Sequence, residues 1–174
     1  MDMSFKGSGN DKLPLIVVTE GNADEMCLIS DVLGEKNFRV LGYSDCDKAY
    51  DLITRETPVL SLVDVHLPGN CGIDLIRKIR LAEHLRSMPV IAIISAESEK
   101  DLAGGGADAF LRRPFDAESL KKTVDSLLMQ KACVKLFIKL FPETVGGYFK
   151  TKELFISKFT FSGKGPMQIM SNSQ

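Results

Sequence analysis

The sequence lacks the cysteine and histidine spacings of a structural metal site. Its four cysteines form no Cys-x-x-Cys pair, and neither of its two histidines lies near them at metal-ligand spacing. We therefore expect free thiols at all four positions, Cys27, Cys46, Cys71 and Cys133. Because free thiols are typical of a reducing compartment, we also expect a cytoplasmic protein.

Long hydrophobic runs are also absent. No apolar stretch reaches the roughly 18 residues that a membrane-spanning helix needs, and the N-terminus has no hydrophobic segment typical of a secretion signal. We therefore expect no membrane span. The hydrophobic fraction of 44% and the charged fraction of 26% are ordinary for a globular protein that contains a sizeable core.

The small net charge of −1 hides an uneven distribution along the chain. Residues 1–130 carry 21 acidic and 15 basic side chains, whereas residues 131–174 carry seven Lys, two Glu and six of the ten Phe. This asymmetry predicts three parts: a disordered leader (1–12), a globular domain (13–130) and a basic, Phe-rich extension (131–174). The apolar surface of the extension needs a partner, and we expect self-association.

The globular part alternates strand and helix patterns five times. Short apolar runs predict strands at residues 13–18, 38–43, 59–64, 89–94 and 107–111. Helices are expected to follow caps at Asn22, Ser44 and Asp116 and the loop at residues 68–72, with a weak one over 96–106 that ends in three glycines. This alternation predicts an α/β fold with a parallel, doubly wound sheet and helices on both faces.

Polar side chains stand at the ends of four of these strands. Asp64 ends the third strand and is followed by a Pro-Gly turn, Glu20 follows the first, Ser95 the fourth, and Arg113 the fifth. Since ligands bind beyond the carboxyl ends of parallel strands, we expect these groups to share one cleft. Two carboxylates, a hydroxyl and a cation suit a site for a divalent cation and a phosphoryl group.

At these residues the chain resembles the receiver domain of two-component response regulators. The matching segments are VVTE (17–20), LVDVHLPGNCGIDLIRKIR (62–80), PVIAIISAE (89–97) and ADAFLRRPFDAESL (107–120). The resemblance covers roughly residues 13–130. It implies a five-stranded flavodoxin-like sheet of order 2-1-3-4-5, and a role in phosphorelay signalling that switches a protein–protein contact.

The same resemblance assigns roles to individual residues. It implies that Asp64 accepts a phosphoryl group from a histidine kinase or phosphotransfer protein, and that Ser95 and Arg113 bond that group. It implies a Mg²⁺ ion held by Glu20, Asp64 and the backbone carbonyl of His66. Ser95 and Phe110 match the switch positions.

Two departures from the family pattern bear on this site. Thr19 stands where the family usually has a second acid, so we expect weaker Mg²⁺ binding. Arg113 stands where the family has a Lys, and its planar guanidinium group is expected to pair with Asp64 or Glu20. These departures leave open an alternative, a degenerate receiver that acts as an interaction or dimerisation module without phosphorylation.

Further expectations concern an enzyme alternative, the fold of the extension and the contacts of the protein. A small phosphatase is disfavoured, because His66 stands where a haloacid-dehalogenase-type enzyme has its second Asp. Residues 131–141 fit either a helix or a strand, and a β-hairpin is expected within 153–170. A homodimer would use the extension or the fourth and fifth helices, and no nucleic-acid-binding module is recognisable.

Overall fold

The computed structural model describes residues 5–6, 13–95 and 106–140. The chain divides into two compact units, Met1–Lys131 and Ala132–Gln174, and in the second unit the described residues 132–140 are helical. The described strands are β1 (Phe5–Lys6), β2 (Leu15–Thr19), β3 (Arg39–Tyr43), β4 (Leu60–Asp64), β5 (Val90–Ile94) and β6 (Ala109–Arg112). The helices are α1 (Ala23–Gly34), α2 (Cys46–Glu56), α3 (Cys71–Leu81) and α4 (Ala117–Leu140), with a 3-10 turn at Pro68–Asn70.

Five parallel strands form the sheet that was expected. They lie in the order β3-β2-β4-β5-β6, which is the predicted 2-1-3-4-5 arrangement. The predicted strand ends differ from the observed ones by at most two residues, which is ordinary for strand boundaries inferred from a pattern.

A sixth strand lies within the expected leader. Phe5 pairs antiparallel with Gly42 of β3, and Lys6 with Leu41. The physical reason is that β3 would otherwise present an unpaired edge of backbone N–H and C=O groups. The other leader residues, 1–4 and 7–12, lie outside the described part.

The sheet is buried on both faces. Every residue of β2, β4 and β5 is buried, as expected for the inner strands of a parallel sheet. Because side chains alternate along a strand, Leu15 and Val17 pack with the residues of α2 and α3, while Ile16 and Val18 pack with α1 and α4. The two layers fix the sheet and leave its carboxyl edge to polar residues.

Side-chain caps define where the helices begin. Asn22 Oδ1 accepts the backbone N–H groups of Asp24 and Glu25, as predicted. The predicted Ser44 cap of α2 is wrong by one residue, because the carboxylate of Asp45 accepts the N–H groups at the start of this helix. Asp116 caps α4 through the N–H of Ser119, at 2.8 Å.

The helix α4 corresponds to the fifth predicted helix. The fourth predicted helix lies outside the described residues except for Gly106, and so does the predicted hairpin within 153–170. Because α4 runs to Leu140, the helical alternative for residues 131–141 is the one that the structure adopts up to that point. Among the described residues, no helix is both long and apolar enough to cross a membrane.

The expectation of four free thiols is wrong. Cys46 and Cys71 form a disulfide with a Cα–Cα distance of 6.0 Å, while Cys27 and Cys133 are free and exposed. The two bonded cysteines are 25 residues apart in sequence, yet each is the first residue of a helix, and α2 and α3 pack side by side. The pairing of these two cysteines can therefore be inferred only from the packing of the two helices and not from their spacing in the sequence.

Gly72 sets how closely α3 approaches the end of β4. A Cβ atom at this position would lie 2.0 Å from the backbone carbonyl oxygen of Asp64 and 3.0 Å from the Cα of Val65. Real Cβ atoms do not come so near, and backbone atoms cannot turn aside as a flexible side chain can. Glycine is therefore required for α3 to pack against the strand end that carries Asp64.

We expect the substitution Gly72→Ala to lower the free energy of unfolding by about 3 kcal/mol, since overpacking against rigid backbone is costly. Gly34→Ala is the matched control, because Gly34 is also helical and its added Cβ would meet nothing within 4 Å. The control should be neutral or stabilise by up to about 1 kcal/mol. Urea unfolding of both variants measures this, and equal effects would contradict the role given to Gly72.

Candidate functional site

Three strand ends bring the charged residues together. Asp64 is the last residue of β4, Glu20 follows β2, and Arg113 follows β6. The register pairs Thr19 with Val63 and Ile94 with Arg112, so these parallel strands end at the same edge of the sheet. The cleft predicted from the sequence therefore contains Glu20, Asp64 and Arg113.

The guanidinium of Arg113 is bonded to three carboxylates. Nη1 donates to Asp64 Oδ1 at 2.8 Å, and Nη2 donates to Glu20 Oε2 at 2.6 Å. Nε donates to both oxygens of Glu25, at 2.8 and 3.0 Å. The expected pairing with Asp64 or Glu20 thus involves both residues at once, and a third carboxylate in addition.

Glu25 is the residue that sequence reasoning missed. It lies in the first turn of α1, where an acidic residue is favourable to the helix dipole and needs no other explanation. Only the packing of α1 on the same face of the sheet as α4 brings its carboxylate to Arg113. The available signal was its position five residues after Glu20, which by itself is not specific.

The carboxylate of Asp64 is buried and is bonded through one of its two oxygens. Its residue is only 5% exposed, and Oδ1 accepts the backbone N–H of His66 at 2.8 Å in addition to Arg113 Nη1. Within the described part of the chain, no hydrogen bond ends on Oδ2. The carboxylate is therefore oriented through Oδ1.

Glu20 is the most perturbed acid of the site. Burial raises its pKa to about 7, and the charges of Asp64 and Glu25 act in the same direction. The N–H of Asn22, which donates to Oε1 at 2.9 Å, and the charge of Arg113 oppose this shift without cancelling it. For Arg113, burial acts against the charge, but the bonds to Glu25 and Asp64 outweigh it and raise its pKa above the usual range.

The remaining predicted residues lie around this core. The backbone N–H of Ser95 donates to Nε2 of His66 at 3.2 Å, which links the ends of β5 and β4. Phe110 lies on β6 with 46% of its surface exposed. Thr19 is fully buried, and its hydroxyl oxygen has no hydrogen-bond partner in the described structure. A threonine hydroxyl is uncharged, so Thr19 brings no negative charge to the site.

The oxygen atoms at the site are ligands of the kind that a hard divalent cation prefers, but the site offers few of them. Glu20 and Asp64 offer carboxylate oxygens, and the carbonyl of His66 offers a third oxygen. Within the described residues, however, no three His, Cys, Asp or Glu side chains are grouped so that they could hold a metal ion. Glu20 Oε2 and Asp64 Oδ1 are both bonded to Arg113. A cation can use these oxygens only if the guanidinium withdraws.

This arrangement suits acceptance of a phosphoryl group more than hydrolysis. It presents one carboxylate as a nucleophile and a guanidinium whose planar fork matches phosphoryl oxygens. Hydrolysis would need a general acid or base. Glu20, whose pKa is raised to about 7, is bonded to that guanidinium and to a backbone N–H, so it is not free for this role.

The chain was compared with curated proteins and solved structures. It is 28% identical to the phosphate regulon transcriptional regulatory protein PhoB of Escherichia coli over 116 residues, which cover 65% of this chain and 51% of PhoB. It is also 27% identical over 121 residues to the sensor histidine kinase TmoS of Ectopseudomonas mendocina, covering 68% of this chain and 12% of that protein. The chain thus spans about half the length of PhoB.

Solved structures share the fold. The chemotaxis response regulator CheY4 of Vibrio cholerae matches with a TM-score of 0.61 and 18% identity, covering 67% of this chain and 99% of CheY4. The receiver domain of the sensor histidine kinase PA1611 from Pseudomonas aeruginosa, solved with a magnesium ion in its active-site cleft, matches with a TM-score of 0.61 and 24% identity. This match covers 66% of this chain and 97% of that domain.

A family model identifies the domain itself. The model of the response regulator receiver domain matches residues 10–125, about two thirds of the chain. The match includes every predicted site residue, from Glu20 to Arg113. The chain belongs to the response regulator receiver domain family of two-component signalling.

Proposed function

We propose that Asp64 accepts a phosphoryl group from the phosphohistidine of a histidine kinase or phosphotransfer protein, and that this transfer switches a protein–protein contact. The observation that carries the proposal is the state of the Asp64 carboxylate at the end of β4. Its Oδ1 is held by Arg113 and by the His66 N–H, which leaves Oδ2 as the attacking oxygen.

In the transfer, Oδ2 of Asp64 attacks phosphorus and forms an acyl phosphate. The phosphorus–nitrogen bond of the donor breaks, and the electron pair stays on the imidazole nitrogen, which then takes up a proton. Arg113, whose Nη1 donates to Asp64 Oδ1, is assigned to donate to the phosphoryl oxygens as charge moves onto them. We assign the hydroxyl of Ser95 to bond a second phosphoryl oxygen. Phe110, on β6, is assigned as the switch residue that changes its position on phosphorylation.

A Mg²⁺ ion is the cofactor that this proposal includes. Glu20, Asp64 and the backbone carbonyl of His66 would hold it, and when bound it neutralises negative charge on the phosphoryl group. Its binding competes with Arg113, since the guanidinium already bonds both carboxylates. Together with the uncharged Thr19, this competition supports a weak site.

Partners and location follow from the same proposal. The kinase or phosphotransfer protein is the upstream partner, and a homodimer formed through the extension or the fourth and fifth helices remains a prediction. No nucleic-acid contact is proposed. The cytoplasmic location also stays a prediction, although the Cys46–Cys71 disulfide removes the argument from four free thiols on which it partly rested.

Acetyl phosphate with Mg²⁺ should add one phosphoryl group, about 80 Da, to the wild-type chain. Asp64→Asn should add none, because an amide is not a nucleophile for this reaction. Intact mass spectrometry measures both proteins, and Asp74→Asn serves as a control because Asp74 is an exposed acid on α3. Uptake by Asp64→Asn would refute the assignment, and no uptake by wild type would favour the degenerate receiver.

Arg113→Lys should tighten Mg²⁺ binding by roughly tenfold, or about 1.4 kcal/mol. A lysine keeps the charge, but one ammonium group cannot span the three carboxylates that the guanidinium bonds, so Glu20 and Asp64 become available. Arg112→Lys is the matched control, as it is the exposed neighbouring arginine on β6. Calorimetric titration compares the three proteins, and unchanged affinity in Arg113→Lys would argue against competition.

The raised pKa of Glu20 predicts a pH-dependent stability in the absence of metal. Between its ordinary pKa of 4.5 and about 7, the folded protein keeps a proton on Glu20 that the unfolded chain has released. The stability due to this proton is present below pH 4.5 and is lost as the pH rises through about 7.

We therefore expect wild type to lose stability relative to Glu20→Gln, on the order of 2–3 kcal/mol, between pH 4.5 and 7, with no further change above. The glutamine has no proton to release, so the difference between the two proteins isolates Glu20. Urea unfolding at half-unit steps from pH 4.5 to 8.5 measures it. A difference that is constant with pH would show that Glu20 ionises with its ordinary pKa.

A further inference from the structure

The disulfide lies at the edge of the phosphoacceptor site. Cys71 is the first residue of α3, directly after the 3-10 turn that follows β4, and seven residues after Asp64. The next residue, Gly72, packs against the carbonyl of Asp64. The sulfur of Cys71 is bonded to Cys46, the first residue of α2. One covalent bond therefore ties the turn after Asp64 to a neighbouring helix.

Solvent reaches this disulfide through a cleft. An open cavity of about 300 Å³ is lined by both cysteines together with Asp47, Asp74 and Lys78. Cys46 is buried, with 7% of its surface exposed, whereas Cys71 is partly exposed. A small thiol entering the cleft would therefore attack the sulfur of Cys71 and release Cys46.

The positions of the two cysteines favour such an exchange. Each is the first residue of a helix of eleven residues, and a helix N-terminus stabilises a thiolate. Three carboxylates line the cleft, those of Asp45, Asp47 and Asp74. Asp45 accepts the N–H groups of Asp47 and Lys48 at the start of α2, and Asp47 is paired with Lys78 at 2.9 Å, which reduces the repulsion of a thiolate by these two acids. Cys46 can therefore serve as the leaving thiolate, and stabilisation of a leaving thiolate speeds exchange.

We propose that Cys46 and Cys71 are a reversible thiol–disulfide modification site that fixes the turn after the phosphoacceptor. Reduction uses two molecules of a small thiol. The first forms a mixed disulfide with Cys71 and releases the Cys46 thiolate, which takes up a proton. The second attacks the mixed disulfide, so that Cys71 becomes a thiol and the two reductant molecules leave as their own disulfide. Oxidation is the reverse, with a small-molecule disulfide as the electron acceptor.

The consequence concerns the geometry of Asp64. With the bond closed, the turn at Pro68–Asn70 is held between β4 and a tethered Cys71. With the bond open, packing alone holds it. Phosphoryl transfer depends on the orientation of the attacking oxygen, so the closed form is the faster acceptor. This part of the inference rests on the proposed function, whereas the exchange chemistry does not.

The test uses the full chain with Cys27→Ser and Cys133→Ser, which remove the two exposed thiols. One sample is treated with oxidised glutathione and the other with dithiothreitol. Alkylation followed by intact mass should add two alkyl groups to the reduced protein and none to the oxidised one, and the treatment should be reversible. Hydrogen exchange of the backbone amides in residues 65–72 should be about tenfold slower in the oxidised form.

Phosphoryl uptake from acetyl phosphate should be several-fold faster in the oxidised form. Cys46→Ser, which is unable to close the bond, should match the reduced protein under both treatments. Two accessible thiols after oxidation, or equal exchange rates in residues 65–72, would overturn the proposal. If neither form takes up phosphate while exchange still differs, the proposed function fails and the modification site stands.

Discussion

The site depends on one cation that is shared among three carboxylates. Glu20, Glu25 and Asp64 come from β2, α1 and β4, and all three are bonded to the guanidinium of Arg113. Without that charge, three acids in a partly buried cleft would repel one another and favour protonation. The pair interactions also join the first, third and fifth of the parallel strands in chain order at their carboxyl ends. The electrostatics of the pocket and its geometry are thus set by the same side chain.

A second constraint is steric and acts on the same strand end. Because Gly72 has no Cβ, α3 packs directly on the carbonyl of Asp64 and aligns the turn that follows. The disulfide between Cys46 and Cys71 then joins the N-termini of α3 and α2. Asp64 is accordingly held by an ion pair on its side chain, by close packing on its backbone and by a covalent link beyond its turn. Each of these restraints limits the positions that the Asp64 carboxylate can adopt.

The family comparison and the geometry address different questions. The match over residues 10–125 establishes a receiver domain, and the solved relatives share its fold at 18 to 24% identity. The geometry describes the pocket of this chain, in which Arg113 spans the two predicted metal ligands Glu20 and Asp64 and is also bonded to Glu25.

Much of the fold could be predicted from the sequence, because its signals are local. Apolar runs of five or six residues, separated by capped helices, are sufficient to predict a parallel sheet, and the residues proposed for the site stand at or directly after the ends of four strands. The order of the strands was implied by the resemblance to receiver domains. One prediction failed for a local reason. Asp45 replaced Ser44 as the cap of α2 because both are good capping residues at adjacent positions. Residues 5–6 form a strand because the edge strand β3 supplies backbone hydrogen-bonding partners. The sequence of these two residues does not indicate that pairing.

Contacts between distant segments were decided by the tertiary structure alone. The sequence determined that Glu20, Asp64 and Arg113 would meet, since parallel strands share an edge. It did not determine that Glu25 would hold Arg113, or that Cys46 would reach Cys71. Both contacts depend on the angle and depth at which helices pack on the sheet, and these are set by interdigitation of many side chains rather than by any local pattern. The raised pKa of Glu20 has the same origin, because burial is a property of the packed layers and not of the residue.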